Sequence, residues 1–205
     1  LTGATLDEVT AAAEDTEALG LPAEADGNLE GWLFPSTYQF NPGITPSDVM
    51  REMIATTIKT LDDAGVAAAD RERILTVASL IEKEAKLDVD RPLIAGVIYN
   101  RLNADMMLQL DATVKYIAPS DGPFVSADDK EVDSPYNTYK YTGLPPGPIA
   151  GSGAKSIDAA VNPASHGYFF YVTVDLNTGE TRYATTYDEH LKNVQVLSQW
   201  IADNG

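Results

Sequence analysis

The chemistry in this chain is most concentrated where two carboxylates stand two residues apart, Glu82 and Glu84, in the run Ile-Leu-Thr-Val-Ala-Ser-Leu-Ile-Glu-Lys-Glu-Ala-Lys-Leu. At 100° per residue, Glu82 falls on one shoulder of an apolar helical stripe, between Leu75 and Ala78. Glu84 falls on the other shoulder, beside Val77 and Leu80. A carboxyl at the rim of an apolar face loses part of its hydration, which raises its pKa and suits it to general acid catalysis. The same spacing has a plainer explanation, because Glu82 and Lys86 are four apart and can pair as surface ions. Periodicity alone favours that surface pair.

Other residues carry weaker chemistry. Asp111 would serve as a second carboxylate, or equally as a cap for the segment that follows it. Gln109 and Asn137 offer amides able to bind polar groups, and Tyr136 and Tyr139 offer flat ring faces for stacking. Tyr141 reads as packing, and Trp32 with Phe34 as core. Residues 143–149 are rich in proline and glycine, which fix φ at some positions and free it at others, so they read as a stiff wall. They lack the lysine and following helix of a phosphate loop.

Composition removes whole classes of function. The chain has no cysteine, hence no disulfide, thiolate metal site or cysteine nucleophile. Its two histidines, His166 and His190, do not make a histidine metal site, and His166 reads as an ordinary surface residue. Asp128, Asp129, Glu131 and Asp133 lack the spacing of a calcium loop. No metal and no organic cofactor are expected. With 31 acidic against 14 basic residues the formal charge is −17, which repels nucleic acid and anionic membrane surfaces but not a neutral polymer.

Helical spacing places elements at about 5–19, 46–64, 70–85 and 92–102. Residues 107–111 read as extended, 117–153 as a long loop and 156–161 as a short helix. Residues 168–174 and 181–185 read as a hairpin about Asn177-Thr178-Gly179, and 188–201 as a closing amphipathic helix. Helices come first and the hairpin late, which predicts an α+β class: a helical first half with the Glu82 helix embedded in it, then small antiparallel elements and a C-terminal hairpin plus helix.

Several runs, in order, resemble the YceG-like family of endolytic murein transglycosylases: Leu29-Glu30-Gly31-Trp32-Leu33-Phe34-Pro35, Ala78 through Glu84, and Val97-Ile98-Tyr99-Asn100-Arg101-Leu102. So do Met107 through Thr113, Ser134-Pro135-Tyr136-Asn137-Thr138-Tyr139, Gly143 through Ile149, and Asn162-Pro163. Each is weak alone; seven in register are strong. The resemblance overturns the surface-pair reading and implies that Glu82 is the catalytic acid and base. Gln109, Asp111, Tyr136, Asn137 and Tyr139 are then expected to bind substrate. It implies a lytic transglycosylase that cuts the β-1,4 bond between N-acetylmuramic acid and N-acetylglucosamine in peptidoglycan, leaving 1,6-anhydro ends. The alternatives are a hydrolytic muramidase using Glu82 and Asp111, and a non-catalytic wall-binding module.

Residues 29–205 are expected to be the catalytic domain, and 1–28 the remnant of an upstream LysM-like region or linker. The resemblance further implies glycan strands and cell-wall synthesis proteins as partners, and no nucleic acid. It also implies a single-pass membrane anchor on a missing N-terminal helix, with this domain on the extracytoplasmic side.

Overall fold

A computed structural model describes residues 3–118 and 125–204. The described residues form seven α-helices, several short 3₁₀ turns and one two-stranded antiparallel sheet, an α+β arrangement. The helices are α1 (Leu6–Glu14), α2 (Pro46–Asp63), α3 (Arg71–Glu84), α4 (Arg91–Asn103), α5 (Asp111–Ile117), α6 (Ala154–Val161) and α7 (Tyr187–Asn204). The strands are β1 (Phe170–Thr173) and β2 (Thr181–Ala184). Among the described residues no helix is long and apolar enough to cross a membrane.

The chain divides into two compact units, one of Leu1–Glu82 with Pro146–Val161, the other of Lys83–Pro145 with Asn162–Gly205. In the first, α1 and α2 both start on capping boxes. Thr5 and Thr45 each accept a backbone N–H three residues on, and Glu8 and Asp48 reach back to the cap N–H. Leu19, Met50 and Ile54 are buried together, with Ala12, Ala13, Leu21, Leu29, Leu33 and Ile58 packed around them. The segment expected as an upstream remnant is thus built into this core, since Leu19 is 1% exposed. No unit boundary falls at residue 28.

Helix α3 is buried without interruption from Ile74 to Ile81. Such a helix is a core element rather than an amphipathic surface one, so its two apolar shoulders are not solvent-facing edges. Trp32 is fully buried, as its core reading requires. Its indole N–H donates to Glu72 Oε2 at 2.9 Å, and its carbonyl accepts from Thr57 Oγ1 at 2.7 Å.

In the second unit, β1 pairs with β2 in the register Phe170 to Ala184 and Thr173 to Thr181, and α7 lies against both strands. The turn between them is fixed by Asp175, whose Oδ1 accepts the N–H groups of Asn177 and Thr178. Lys86 donates to the carbonyls of Leu176 and Asn177, so its ammonium is held by the hairpin turn. His166, expected on the surface, is half-buried. One ring nitrogen lies 2.9 Å from Leu93 O, and the other accepts the Tyr168 N–H. A Cβ added at Gly96 would stand 2.4 Å from that ring, so α4 needs a glycine there.

Candidate active site

Glu82 lies in the last turn of α3, and its Oε2 accepts two hydrogen bonds. Ser156 Oγ donates at 2.6 Å and the Gly153 backbone N–H at 3.3 Å. Gly153 immediately precedes α6, and its carbonyl accepts from Ser156 N and Ile157 N to start the helix. The carboxyl group therefore sits against the segment that opens α6.

The sequence builds this neighbourhood from close contacts that leave little slack. Ser79, one turn before Glu82 on α3, donates to Thr76 O at 2.7 Å and accepts Ile149 N at 3.0 Å. Helix α3 thus holds residues 149–156 at two levels. On another side, a Cβ at Gly31 would stand 2.4 Å from Pro148 Cβ, and one at Gly151 would stand 2.7 Å from Leu33 O. Gly31 also has φ of +83°, where a side chain is strained in any case. The turn at residues 31–33 and the strip at 148–151 can approach only because both positions lack side chains.

Glu84 has a separate set of partners, all in the second unit. Tyr171 OH donates to it at 2.9 Å and Ala112 N at 3.3 Å. Burial pushes its carboxyl above the usual range, against the two hydrogen bonds, and the Asp111 carboxylate adds to the rise. Tyr171 is pushed well above its ordinary value, first by burial and then by Glu84. An acid held this way ties α3, α5 and β1 together through one side chain.

This arrangement carries a prediction. Burial makes the folded chain hold the Glu84 proton at higher pH than the unfolded chain does. Its contribution to stability is then complete below the ordinary carboxylate range and is lost as pH rises through the folded value. In Glu84→Gln, urea unfolding should show a flatter dependence of stability on pH from that range upward. Its activity should stay within about tenfold of wild type, well short of the loss from removing a general acid. Parallel stability–pH curves for the two proteins would contradict the assignment.

The substrate-binding residues expected from sequence fall in the second unit. Asp111 opens α5, where the sequence suggested extended chain running up to it. Its Oδ1 accepts Tyr139 OH at 2.5 Å, and Lys130 Nζ lies 3.8 Å from the same atom. Lys130 also sits over the Tyr139 ring, 4.5 Å from its centre. Burial, and then the Asp111 carboxylate, push the Tyr139 phenol far up, so it remains a donor at any ordinary pH. Gln109 is exposed with φ of +51°, a strained setting for a residue with a side chain, and its N–H is spent on Thr138 O. Tyr136 is half-buried with its ring against Tyr116, centroids 5.1 Å apart.

Asn137 departs from expectation. It is fully buried, and its amide donates to Lys130 O at 2.9 Å and Val132 O at 2.8 Å. Its Oδ1 accepts Tyr139 N at 3.0 Å. A side chain with no exposed atom shapes the loop that carries Lys130 and Tyr139 and does not itself meet a sugar. Tyr141 is 46% exposed and donates to Asp133, so its packing reading is replaced by a surface hydrogen bond.

Sequence reading missed Ser156, Gly153, Lys130 and Tyr171. Ser156 lies 74 positions from Glu82, and no periodicity connects them. Of the acidic stretch at 121–133, residues 121–124 lie outside the described residues. Among the described residues, no three His, Asp or Glu side chains come together in a way that could hold a metal ion.

Comparison with known proteins agrees with these elements. The model of the YceG-like family matches residues 1–196. The endolytic murein transglycosylase of Bacillus subtilis (strain 168) is 43% identical over 169 residues, covering 80% of this chain and 46% of its own. That of Streptococcus pneumoniae serotype 2 (strain D39) is 37% identical over 186 residues, covering 85% of this chain and 34% of its own. The chain thus spans less than half the length of these curated relatives. The crystal structure of a putative yceG-like protein, lmo1499, from Listeria monocytogenes superimposes with a TM-score of 0.75 at 34% identity, over 92% of this chain and 67% of that one. The family match also reaches back over residues 1–28, where sequence reading found no motif. Shared sequence and shared fold over nearly the whole length place this chain in the YceG-like family.

Proposed function

We propose that this chain cleaves peptidoglycan glycan strands as a lytic transglycosylase, with Glu82 as the acid and then the base. The observation that carries the reading is the setting of Glu82. It is a carboxyl at the end of a buried helix, whose Oε2 accepts from Ser156 and Gly153, in a chain related to enzymes named for this activity.

In the proposed reaction the Glu82 acid protonates the oxygen linking N-acetylmuramic acid to N-acetylglucosamine, and the bond to the muramic C1 breaks. The resulting carboxylate then takes the proton of the muramic C6 hydroxyl as that oxygen bonds to C1. The acid is regenerated, no water is consumed, and the product carries a 1,6-anhydro ring. This differs from the paired carboxylates of most glycosidases, one of which activates water or forms a covalent intermediate. The charge developing at C1 can be met by the substrate's own 2-acetamido group. Gln109, Asp111, Tyr136 and Tyr139 supply the amide, carboxylate and ring faces that a glycan would meet, and Asn137 braces the loop that carries Tyr139.

Mass analysis of glycan strands digested by this chain tests the reading. Muramic ends lighter by one water than hydrolytic ends are expected. Hydrolytic ends would instead favour a muramidase in which Asp111 activates water, and an undigested strand would favour a wall-binding module. A membrane anchor, an extracytoplasmic location and partners among cell-wall synthesis proteins belong to the same proposal. Fractionation and crosslinking of the full-length protein test them.

A further inference from the structure

Resting on the reading of this chain as acting on peptidoglycan strands, we infer that Lys130 is a specificity residue that binds carboxylates carried by the muramic acids of the strand. Its ammonium stands 4.5 Å from the centre of the Tyr139 ring and 3.8 Å from Asp111 Oδ1. The second distance is too long for an N–H···O bond, and that oxygen already accepts Tyr139 OH at 2.5 Å. Other cations of the same unit are occupied. Arg91, Lys140 and Arg182 donate at 3.0–3.1 Å to Asp88, the Glu131 carbonyl and Glu180. Arg101 is turned onto the carbonyls of Phe169 and Leu108. Among the described residues the Lys130 ammonium has no such acceptor, and its partly exposed N–H groups face a ligand or solvent.

The loop holds this lysine in place. Its N–H donates to Ser126 O at 3.3 Å, and its carbonyl accepts the amide of fully buried Asn137 at 2.9 Å. Ser126 and Asp129 close the same turn, Ser126 Oγ donating to Asp129 Oδ2 at 2.7 Å and accepting Asp129 N at 3.1 Å. The backbone is thus fixed on both sides, and the ammonium rests over a ring that the bond to Asp111 steadies. A pre-oriented ammonium gives up less freedom on binding than one on a mobile stem. On that side Tyr139 is covered, so there the cation and not the ring meets an arriving group. A chain of formal charge −17 repels acidic ligands in general, and a fixed cation gives them one point of attraction. Muramic acid is the acidic sugar of the proposed substrate. Its lactyl carboxylate is ionised where no peptide is attached, and an attached peptide brings carboxylates of its own. Muramic acid recurs at every second sugar, so the contact requires no particular distance from the bond being cut.

Strand binding measured in the Glu82→Gln chain, where no cleavage intervenes, tests the inference. Lys130→Met, Lys130→Arg and a charge control on α2, Lys59→Met, are each added to that chain. The probes are strands stripped of peptide, the same strands with every carboxylate converted to its methylamide, and strands bearing their peptides. Lys130→Met should weaken binding of stripped strands about three- to tenfold, between the scales of an exposed ion pair and a charge-assisted hydrogen bond. Binding of methylamide strands should stay within about twofold. Lys130→Arg should bind like the parent, and the loss should fade at about 1 M salt, where the screening length is about 3 Å. Lys59→Met removes the same charge and should change neither affinity by more than about twofold. A loss on stripped strands alone assigns the lactyl group, and a loss on peptide-bearing strands assigns carboxylates of the peptide. Equal losses on acidic and methylamide strands would make Lys130 a mere partner of Asp111 and overturn the inference. Unchanged binding of both stripped and peptide-bearing strands would overturn it too. A wild-type chain that binds strands but leaves them uncut would instead remove the reading of Glu82 and leave this one standing.

Discussion

Replacing Glu82 by glutamine is expected to leave a folded protein whose glycan-cleaving rate falls by about 10²–10⁴-fold or more, the usual scale for a general acid. Glutamine keeps the shape of the side chain, and its amide oxygen can still accept from Ser156 and Gly153. The fold should therefore notice little, and the thermal midpoint should lie within a few degrees of wild type. The amide can neither give a proton to a leaving oxygen nor take one from a hydroxyl. The loss should therefore appear in kcat and kcat/KM together, because the interaction removed is made only in the transition state. Glu84→Gln, measured alongside, should cost far less. If the two change places in rank, the catalytic assignment within the Glu-Lys-Glu triplet is wrong.

The largest effect on stability is expected from Trp32→Ala, at about 3–5 kcal/mol. Trp32 is 0% exposed, so truncation removes a large apolar surface and leaves a cavity in a close-packed region. It also takes a donor from Glu72, whose carboxyl burial already pushes up. Against a typical total of about 5–15 kcal/mol, that loss is a large fraction of the stability of the chain. Urea unfolding should show a midpoint shifted strongly down with an unchanged slope. Trp32→Phe, which refills much of the volume but not the hydrogen bond to Glu72, should fall between the two. A Trp32→Ala midpoint equal to wild type would mean that this indole is not a core residue.

Much of the fold was legible in the order of residues because helices and hairpins are local. Thr45 before Pro46, with Asp48 three residues after the threonine, marks the start of α2 by capping chemistry alone. Asn177-Thr178-Gly179 marks a turn because Gly179 takes up φ of +83° at no cost. Where the signal was short it failed. α5 has seven residues, too few for a periodicity, so by sequence Asp111 reads as the end of an extended segment. The family, too, was legible, because seven short runs in register are improbable by chance even when each is weak.

The partners of each carboxylate were decided only by the tertiary structure. By sequence, Glu82 and Glu84 are near-equivalent acids on the two shoulders of one stripe. In the fold Glu82 is held at the start of α6 by Ser156 and Gly153. Glu84 is tied to Ala112 and Tyr171, where burial raises its pKa. Asn137 and Tyr139 looked alike as sugar-binding side chains, yet one is buried as a loop brace and the other is coupled to Asp111. For the two glutamates and Tyr139 the reason is shared: hydrogen bonding and desolvation depend on partners 28 to 87 positions away, and helical periodicity carries no information about contacts at that range. Asn137 is held by neighbours within 7 positions, but in an irregular loop that has no periodicity to read.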